Sequence, residues 1–592
     1  MILRNRKSGY DSARGRERVN SGPGERRVER TRATFIEVAV VLLVGAAVFL
    51  PNLGQEVSLK KNEARHAEIA RNMLRTGQYA VPYTCGKPYI DKPPLYNWAV
   101  AALSYATDRA DLLMARLASA LSAILAALAT YILGRRWFSP RAGVFAAVMW
   151  ITSWMAVEWG RFARMDMMMA ALILCGVLLA DMAAAAQGRR RTALWLAACL
   201  TVGLSSLTKN LLVLFFFAPA AVAIWRARQG RWLMPIRLAV AGLLVSILPY
   251  AIWAAAAEMA RPGHLAAMWN YQGGEGIVEH PGGIAVYLVG LPAQTLPWVA
   301  FIGGAAYLSY RRLRRWGFDP TVIPAFTTLV CLVLISIMPS KRPHYALPML
   351  PFWMLWLGGF VDEAVRSRAG GQGAGTSMPG DMPWWAFELP LGGALIGLVG
   401  FLGWGIAYWV THAYLYKVTG ALIGGAVALG AAAGAMCAFR HRFGHAVHIL
   451  FGSLVALAVA GYPVFLPGLN RPAPEYAAAD EIARMIPTDA LTADYDVRDA
   501  LVNLKLNRSL TFPESLDTLR EFIGKEGRRY ILVNPKHVDE VIALSNRPVT
   551  VLASWSLKDL ACAILEAGPA DAPSVEVKTR AEEEPFQAIE RR

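Results

Sequence analysis

The chain has 592 residues, of which 55% are hydrophobic and only 17% charged, and its formal net charge is +17. In a soluble protein that charge would point to nucleic acid, but here the apolar residues form long blocks, with Arg and Lys in short segments between them. This excludes a soluble globular domain, and the basic segments report membrane orientation instead. The chain reads as an α-helical polytopic membrane protein.

In chain order, residues 1–33 form a basic cytoplasmic arm without an apolar run, and lack the layout of a cleavable signal peptide. Basic clusters at "GRRWFSPR", "QGRRRT", "RARQGRW", "RRLRRW" and "FRHRFGH" orient the blocks that follow, since such clusters stay in the cytoplasm. About thirteen spans fit between them, near 34–50, 112–133, 142–157, 168–186, 193–207, 211–225, 236–257, 286–310, 321–338, 346–361, 384–410, 418–438 and 446–466. An odd number puts the two termini on opposite sides. The apolar stretch at 92–108 is too short to cross, because a span needs about 20 residues, so 52–111 is predicted to be one outer loop with two interfacial helices. The first is built on "EARHAEIARNMLR" and the second follows Pro93-Pro94.

Residues 34–466 thus make a transmembrane domain, with a Gly- and Ser-rich cytoplasmic linker at 366–383. Beyond it the hydropathy falls. "EYAAADEIARMI" and "PESLDTLREFIGKEG" read as helices, and "RRYILVNP" and "VTVLASWSL" as strands, giving a small outer C-terminal α/β domain over 467–570 and a disordered tail over 571–592. Of six cysteines, only Cys85 and Cys562 lie in polar regions, which leaves a disulfide between them open.

With this orientation the noteworthy polar residues fall on one membrane face. They are Asn62, Glu63, Arg65 and His66; Asp91 and Lys92; Arg161, Arg164 and Asp166; Lys209; Glu275, Glu279 and His280; and Lys341, Arg342, His344 and Tyr345. Outer loops are polar simply because they meet water. Asp166, Lys209 and Lys341, however, each sit at the junction with an apolar block, where an ionisable group is costly unless it is paired or faces a wet cavity. Glu63, Asp91 or Asp166 could take a proton from an acceptor hydroxyl or amine, and Lys92, Lys209 and Lys341 could hold a phosphate leaving group such as that of a lipid.

The stretch "NEARHAEIARNMLRTGQYAVPYTCGKPYIDKPPLYNW" resembles the first outer loop of GT-C superfamily enzymes of glycosyltransferase family 39, which includes protein O-mannosyltransferases and the bacterial lipid A aminoarabinose transferase. The resemblance continues through "GRRWFSPRAG", "RFARMD", "LTKN", "HPGGIAVYLVGLPAQTLPW" and "KRPHYALPMLP", most of residues 50–360. It implies a glycosyltransferase that moves a sugar from a polyprenyl-phosphate donor, of the undecaprenyl-phosphate type, with inversion. The acceptor would be a lipid A-like glycolipid or another periplasmic molecule, the active site periplasmic and the location the bacterial inner membrane.

By position, the resemblance implies catalytic roles for Glu63, Asp91 and Asp166 and donor-phosphate binding by Arg65, Lys92, Lys209, Lys341 and Tyr345. Asn62, His66, Arg164, His280 and His344 are further site candidates. The family's acidic pair is here Asn62-Glu63, and Asn210 stands where the family has Gly. The cofactor is unknown; the aminoarabinose branch binds zinc, for which Asp91, His280 and His344 are the candidates. The alternatives are a non-catalytic relative that binds lipid-linked sugar, favoured by Asn62, and a transporter or flippase.

Overall fold

A computed structural model describes residues 23–55, 63–271, 283, 285–338, 340–368, 382–412, 417–461, 464, 474–557 and 560–568, the first eight of these as backbone only. The terminal arm before residue 23, the tail after 570, most of the linker, Asn62, Glu275, Glu279 and His280 lie outside the described residues.

Nine expected spans coincide with helices long and apolar enough to cross a membrane, from Thr31–Phe49 to Phe443–Ala460. The spans expected near 142–157 and 286–310 are instead pairs of helices, bent by 63° and 108°. In the first pair Ser153 takes an extended backbone between Pro140–Thr152 and Trp154–Arg161. In the second, "LPAQTLPW" breaks the helix with prolines, which cannot donate a backbone hydrogen bond. The remaining two spans fall on Gly188–Ser206 and Leu350–Arg368. Arginines open the first, and Asp362, Glu363, Arg366 and Arg368 close the second, so each has a shorter apolar stretch.

Helix packing follows from small residues. A Cβ added at Gly143 would meet the Tyr131 carbonyl oxygen at 2.4 Å, so Leu112–Trp137 and Pro140–Thr152 approach as closely as their backbones allow. The carboxylates inside this bundle are held by cationic partners. At one end of Met165–Ala185, the fully buried Asp181 carboxylate accepts from Arg136, Arg228 and the Trp137 indole. Nearby, Ser139, Arg141 and Arg366 converge on buried Asp362. At the other end of the same helix lies Asp166, four turns and hence about 22 Å from Asp181.

The stretch between the first two spans holds two helices, as expected. Leu95–Thr107 has 13 residues, about 20 Å long, short of the ~30 Å hydrocarbon layer. Ahead of it, Glu63–Thr76, here called the loop helix, buries most of its length, and a two-residue hairpin, β1 (Tyr83–Thr84) with β2 (Lys87–Pro88), follows it.

The loop helix is fixed from two sides. On the membrane side, Glu63 is wholly buried and its carboxylate takes both Nε and Nη2 of Arg116 at 3.0 Å, while the Ala163 backbone N–H donates to it at 2.8 Å. Arg116 also donates from Nη1 to the Leu53 and Gln55 carbonyls. On the other side sits the C-terminal domain.

That domain has a four-stranded sheet, β3 (Leu491–Tyr495), β4 (Arg529–Val533), β5 (Val549–Ser556) and β6 (Ala561–Ala567), in spatial order β3-β4-β6-β5. The β3–β4 pair is parallel and the others antiparallel. The two strands and two helices expected from the sequence are present as β4, β5, Pro474–Met485 and Leu516–Gly524. Ala64 and Leu112 join the apolar core of the domain. Arg71 donates to the Asn503 and Leu504 carbonyls, and Arg75 to that of Asn507, so two arginines cap the C-terminal end of helix Ala500–Leu506. Glu68 accepts from the Cys85 backbone N–H and the Thr84 hydroxyl. Cys85 and Cys562 are both free thiols, Cys85 lying 3.2 Å from the Arg498 carbonyl, so the two form no disulfide.

Removing one partner of a buried ion pair strands the other, at a cost of about 3–5 kcal/mol, whereas replacing both with apolar groups is far cheaper. Glu63→Gln is therefore expected to lower the thermal unfolding midpoint of the detergent-solubilised chain by several degrees. The Glu63→Met/Arg116→Met double variant is expected to recover much of the loss. Tryptophan fluorescence on heating reads both, and a double variant less stable than Glu63→Gln would contradict the account.

Candidate active site

A cavity of about 950 Å³ opens where the loop helix, the turn at Tyr89–Lys92 and four membrane-embedded segments meet. Its polar wall begins at the loop helix with Arg65 and His66. Lys92 grips Asp91 at 2.6 Å through Nζ and also donates to the Asp91 carbonyl. Arg65 lies 4.0 Å from the same carboxylate and 5.8 Å from the centre of the Tyr89 ring, and Tyr89 donates its hydroxyl to Asp91.

Opposite stands a second pair. Asp166, in the first turn of Met165–Ala185, accepts from Lys209 Nζ at 2.7 Å. Its position at a helix N-terminus favours the carboxylate. Lys209 in turn lies 4.5 Å over the ring of Tyr345. An aromatic row continues from there: Tyr345 meets His344 edge-on at 4.8 Å, His344 stacks on Trp159 at 4.3 Å, and Arg164 lies 5.2 Å over Trp159. The remaining wall is apolar, built by Leu212, Phe215 and Phe216 after Lys209 and by Ile335 and Met338 at the end of Ile323–Ile337.

Nine sequence candidates thus share one cavity, drawn from segments far apart in the chain. Glu63 and Lys341 do not line it. Glu63 is committed to Arg116 and the Ala163 N–H, which leaves it badly placed to take an acceptor's proton. Lys341 donates to the Met338 carbonyl at 2.7 Å and so caps the end of Ile323–Ile337, next to the cavity wall. Arg161, likewise turned away, donates to the Val48 carbonyl. Tyr89 and Trp159 line the cavity although the sequence reading passed over them. The signal available was their place in "PYIDKPP" and "VEWGRFARMD", beside residues already chosen. No group of three His, Cys, Asp or Glu among the described residues is arranged to hold a metal; Asp91 and His344 sit on different walls, and His280 lies outside those residues.

Five cationic side chains line the cavity, Arg65, Lys92, Arg164, Lys209 and Arg342, against the two carboxylates. Such an excess accommodates an anion, most naturally a phosphate that accepts several charge-assisted hydrogen bonds. The two histidines add no charge. Burial pushes His66 down to about 4, helped by Arg65 and Arg164, and pushes His344 down to about 3, helped by Lys209 and Arg342. A group that folding keeps neutral stabilises the fold above its unfolded pKa of 6.5, and that contribution is lost as pH falls toward the folded value. The thermal midpoint should therefore drop as pH is lowered from 6.5 to about 4, and His344→Phe should flatten the drop. An identical pH profile in that variant would contradict the burial argument.

A family model described as "Dolichyl-phosphate-mannose-protein mannosyltransferase" matches residues 34–263. Among curated proteins, the undecaprenyl phosphate-alpha-4-amino-4-deoxy-L-arabinose arabinosyl transferase of Edwardsiella ictaluri is 26% identical over 343 residues, 56% of this chain and 60% of that protein. Its Pseudomonas aeruginosa counterpart is 27% identical over 320 residues, 52% of this chain and 56% of that protein. The match thus spans somewhat under two thirds of these relatives' length. Among solved structures, ArnT from Cupriavidus metallidurans in the apo state is similar with a TM-score of 0.66 at 20% identity, covering 91% of this chain and 100% of that one. The same protein bound to undecaprenyl phosphate gives 0.65 at 20% identity, covering 91% and 99%. The chain therefore has the fold of ArnT, a polytopic helical bundle with a small C-terminal sheet domain, and resembles the GT-C glycosyltransferases of the aminoarabinose transferase group.

Proposed function

We propose that this protein is an integral membrane glycosyltransferase that moves a sugar from a polyprenyl-phosphate donor to a lipid A-like glycolipid or another acceptor at the periplasmic face of the inner membrane. The observation that carries this reading is the two-sided cavity. Cations line its polar walls and apolar residues from two helices line the remaining one, which suits a headgroup with a prenyl chain attached. The similarity to ArnT bound to undecaprenyl phosphate and to the arabinosyl transferases supports the donor class.

In this reading Arg65, Lys92 and Lys209 hold the donor phosphate, with Arg164 and Arg342 beside them. Leu212, Phe215, Phe216 and Met338 guide the first prenyl units. The acceptor's oxygen or nitrogen attacks the sugar carbon from the face opposite the phosphate. A new bond forms to that carbon, its bond to the phosphate oxygen breaks with inversion, and the lysines and arginines receive the charge that develops on the leaving phosphate.

The acceptor's proton passes to Asp91 or Asp166. Both carboxylates are ion-paired with the lysines that would hold the phosphate, at 2.6 and 2.7 Å. Donor binding therefore diverts each lysine toward the phosphate and leaves its carboxylate a more available lone pair. The cationic clusters at the far end of the bundle, around Asp181 and Asp362, support a cytoplasmic location for that end and a periplasmic one for the site.

Asp91→Asn and Asp166→Asn should each keep the fold but remove a proton acceptor and a lysine partner. In reconstituted protein, sugar release from an undecaprenyl-phosphate donor should fall by about 100-fold or more in at least one of the two. Full turnover in both variants would refute the assignment.

A further inference from the structure

His66 lines the cavity yet is only 3% exposed, and one of its ring nitrogens is already committed. Nδ1 lies 2.8 Å from Asn97 Oδ1, on Leu95–Thr107, and Tyr96 of the same helix meets the ring edge-on at 4.9 Å. Asn97 is itself buried. An amide oxygen only accepts, so this contact requires a proton on Nδ1, and a neutral ring then carries its lone pair on Nε2.

The charged groups around the ring are Arg65 on its own helix, Arg164 on the segment opposite and Asp91 in the intervening turn. Two nearby cations disfavour a second proton on the ring. The rest of the polar wall consists chiefly of donors. They serve a phosphate, which only accepts, whereas the hydroxyl or amino hydrogens of a sugar find few acceptors besides Asp91 and Asp166, the two carboxylates the transfer step draws on for the acceptor's proton.

We propose that His66, fixed by Asn97 as the Nδ1–H tautomer, is a specificity-determining residue whose Nε2 accepts a hydrogen bond from a hydroxyl or amino group of the transferred sugar. Asn97 acts through it as a positioning residue. The inference deepens the donor reading above and rests on it. It separates two parts of the donor: the cations read the phosphate common to every polyprenyl carrier, and the neutral imidazole reads the sugar.

Two measurements test this on the full chain in lipid nanodiscs. In ¹⁵N-histidine-labelled protein, the signal absent from His66→Gln should show a neutral imidazole protonated at Nδ1 across pH 6–8. Asn97→Asp should turn it into the imidazolium at the acidic end of that range, because a carboxylate partner favours the charged ring. A neutral ring protonated at Nε2 in the wild type would overturn the proposal.

Binding is then compared for undecaprenyl phosphate alone and for undecaprenyl phosphate carrying 4-amino-4-deoxy-L-arabinose or mannose. His66→Phe should leave the bare lipid phosphate within about two-fold of wild type and weaken the preferred sugar-bearing lipid about ten-fold, as expected for losing one buried hydrogen bond. Asn97→Asp should lose sugar preference at pH 6 and regain it toward pH 8. Equal loss for both lipids in His66→Phe, or a wild type that binds the carrier without preference for any sugar, would overturn the inference while leaving the donor-lipid reading in place. A wild type that binds no polyprenyl phosphate would overturn both.

Discussion

The buried pair of Glu63 and Arg116 is the interaction on which the cavity depends. It joins the first turn of the loop helix to a membrane helix, and the same carboxylate takes the Ala163 N–H, three residues before Asp166. One salt bridge therefore sets the relative positions of Arg65 and His66 on one wall and Arg164 and Asp166 on the other. In a low-dielectric setting neither charge is tolerable alone, so the pair confers register as much as stability.

The same rule governs the other ionised groups of the bundle. Asp181 and Asp362 are each held by two arginines at one end of the helices, and Asp166 by Lys209 at the other. What distinguishes the Asp166 end is surplus positive charge around a cavity. Asp181 and Asp362 are packed against their partners, whereas Lys92 and Lys209 line an open volume in which an incoming anion can compete for them.

The C-terminal domain takes part in this arrangement through the back of the loop helix. Arg71 and Arg75 cap a helix of that domain, and Glu68 holds the hairpin, while Arg65 and His66 on the same helix line the cavity. The domain thus braces the helix that presents two cavity residues, a link joining residues more than 400 positions apart.

Hydropathy and basic clusters were enough to read a multi-span helical bundle, a long first loop with two helices and a small α/β domain, because burial in hydrocarbon imposes a pattern that each segment carries on its own. The polar residues at the ends of apolar blocks, Asp166 and Lys209 among them, were legible for the same reason. Local pattern could not tell which charges meet each other. Glu63 and Asp91 lie in one loop and look alike in sequence, yet only packing assigns Glu63 to Arg116 and Asp91 to the cavity. Likewise, the aromatic row that joins Trp159 to His344 and the bond from His66 to Asn97 come from contacts between separate segments of the chain. Hydrophobicity along the sequence determined which stretches enter the membrane, and the partner available to each charge once they had packed decided which of them hold the fold and which face the cavity.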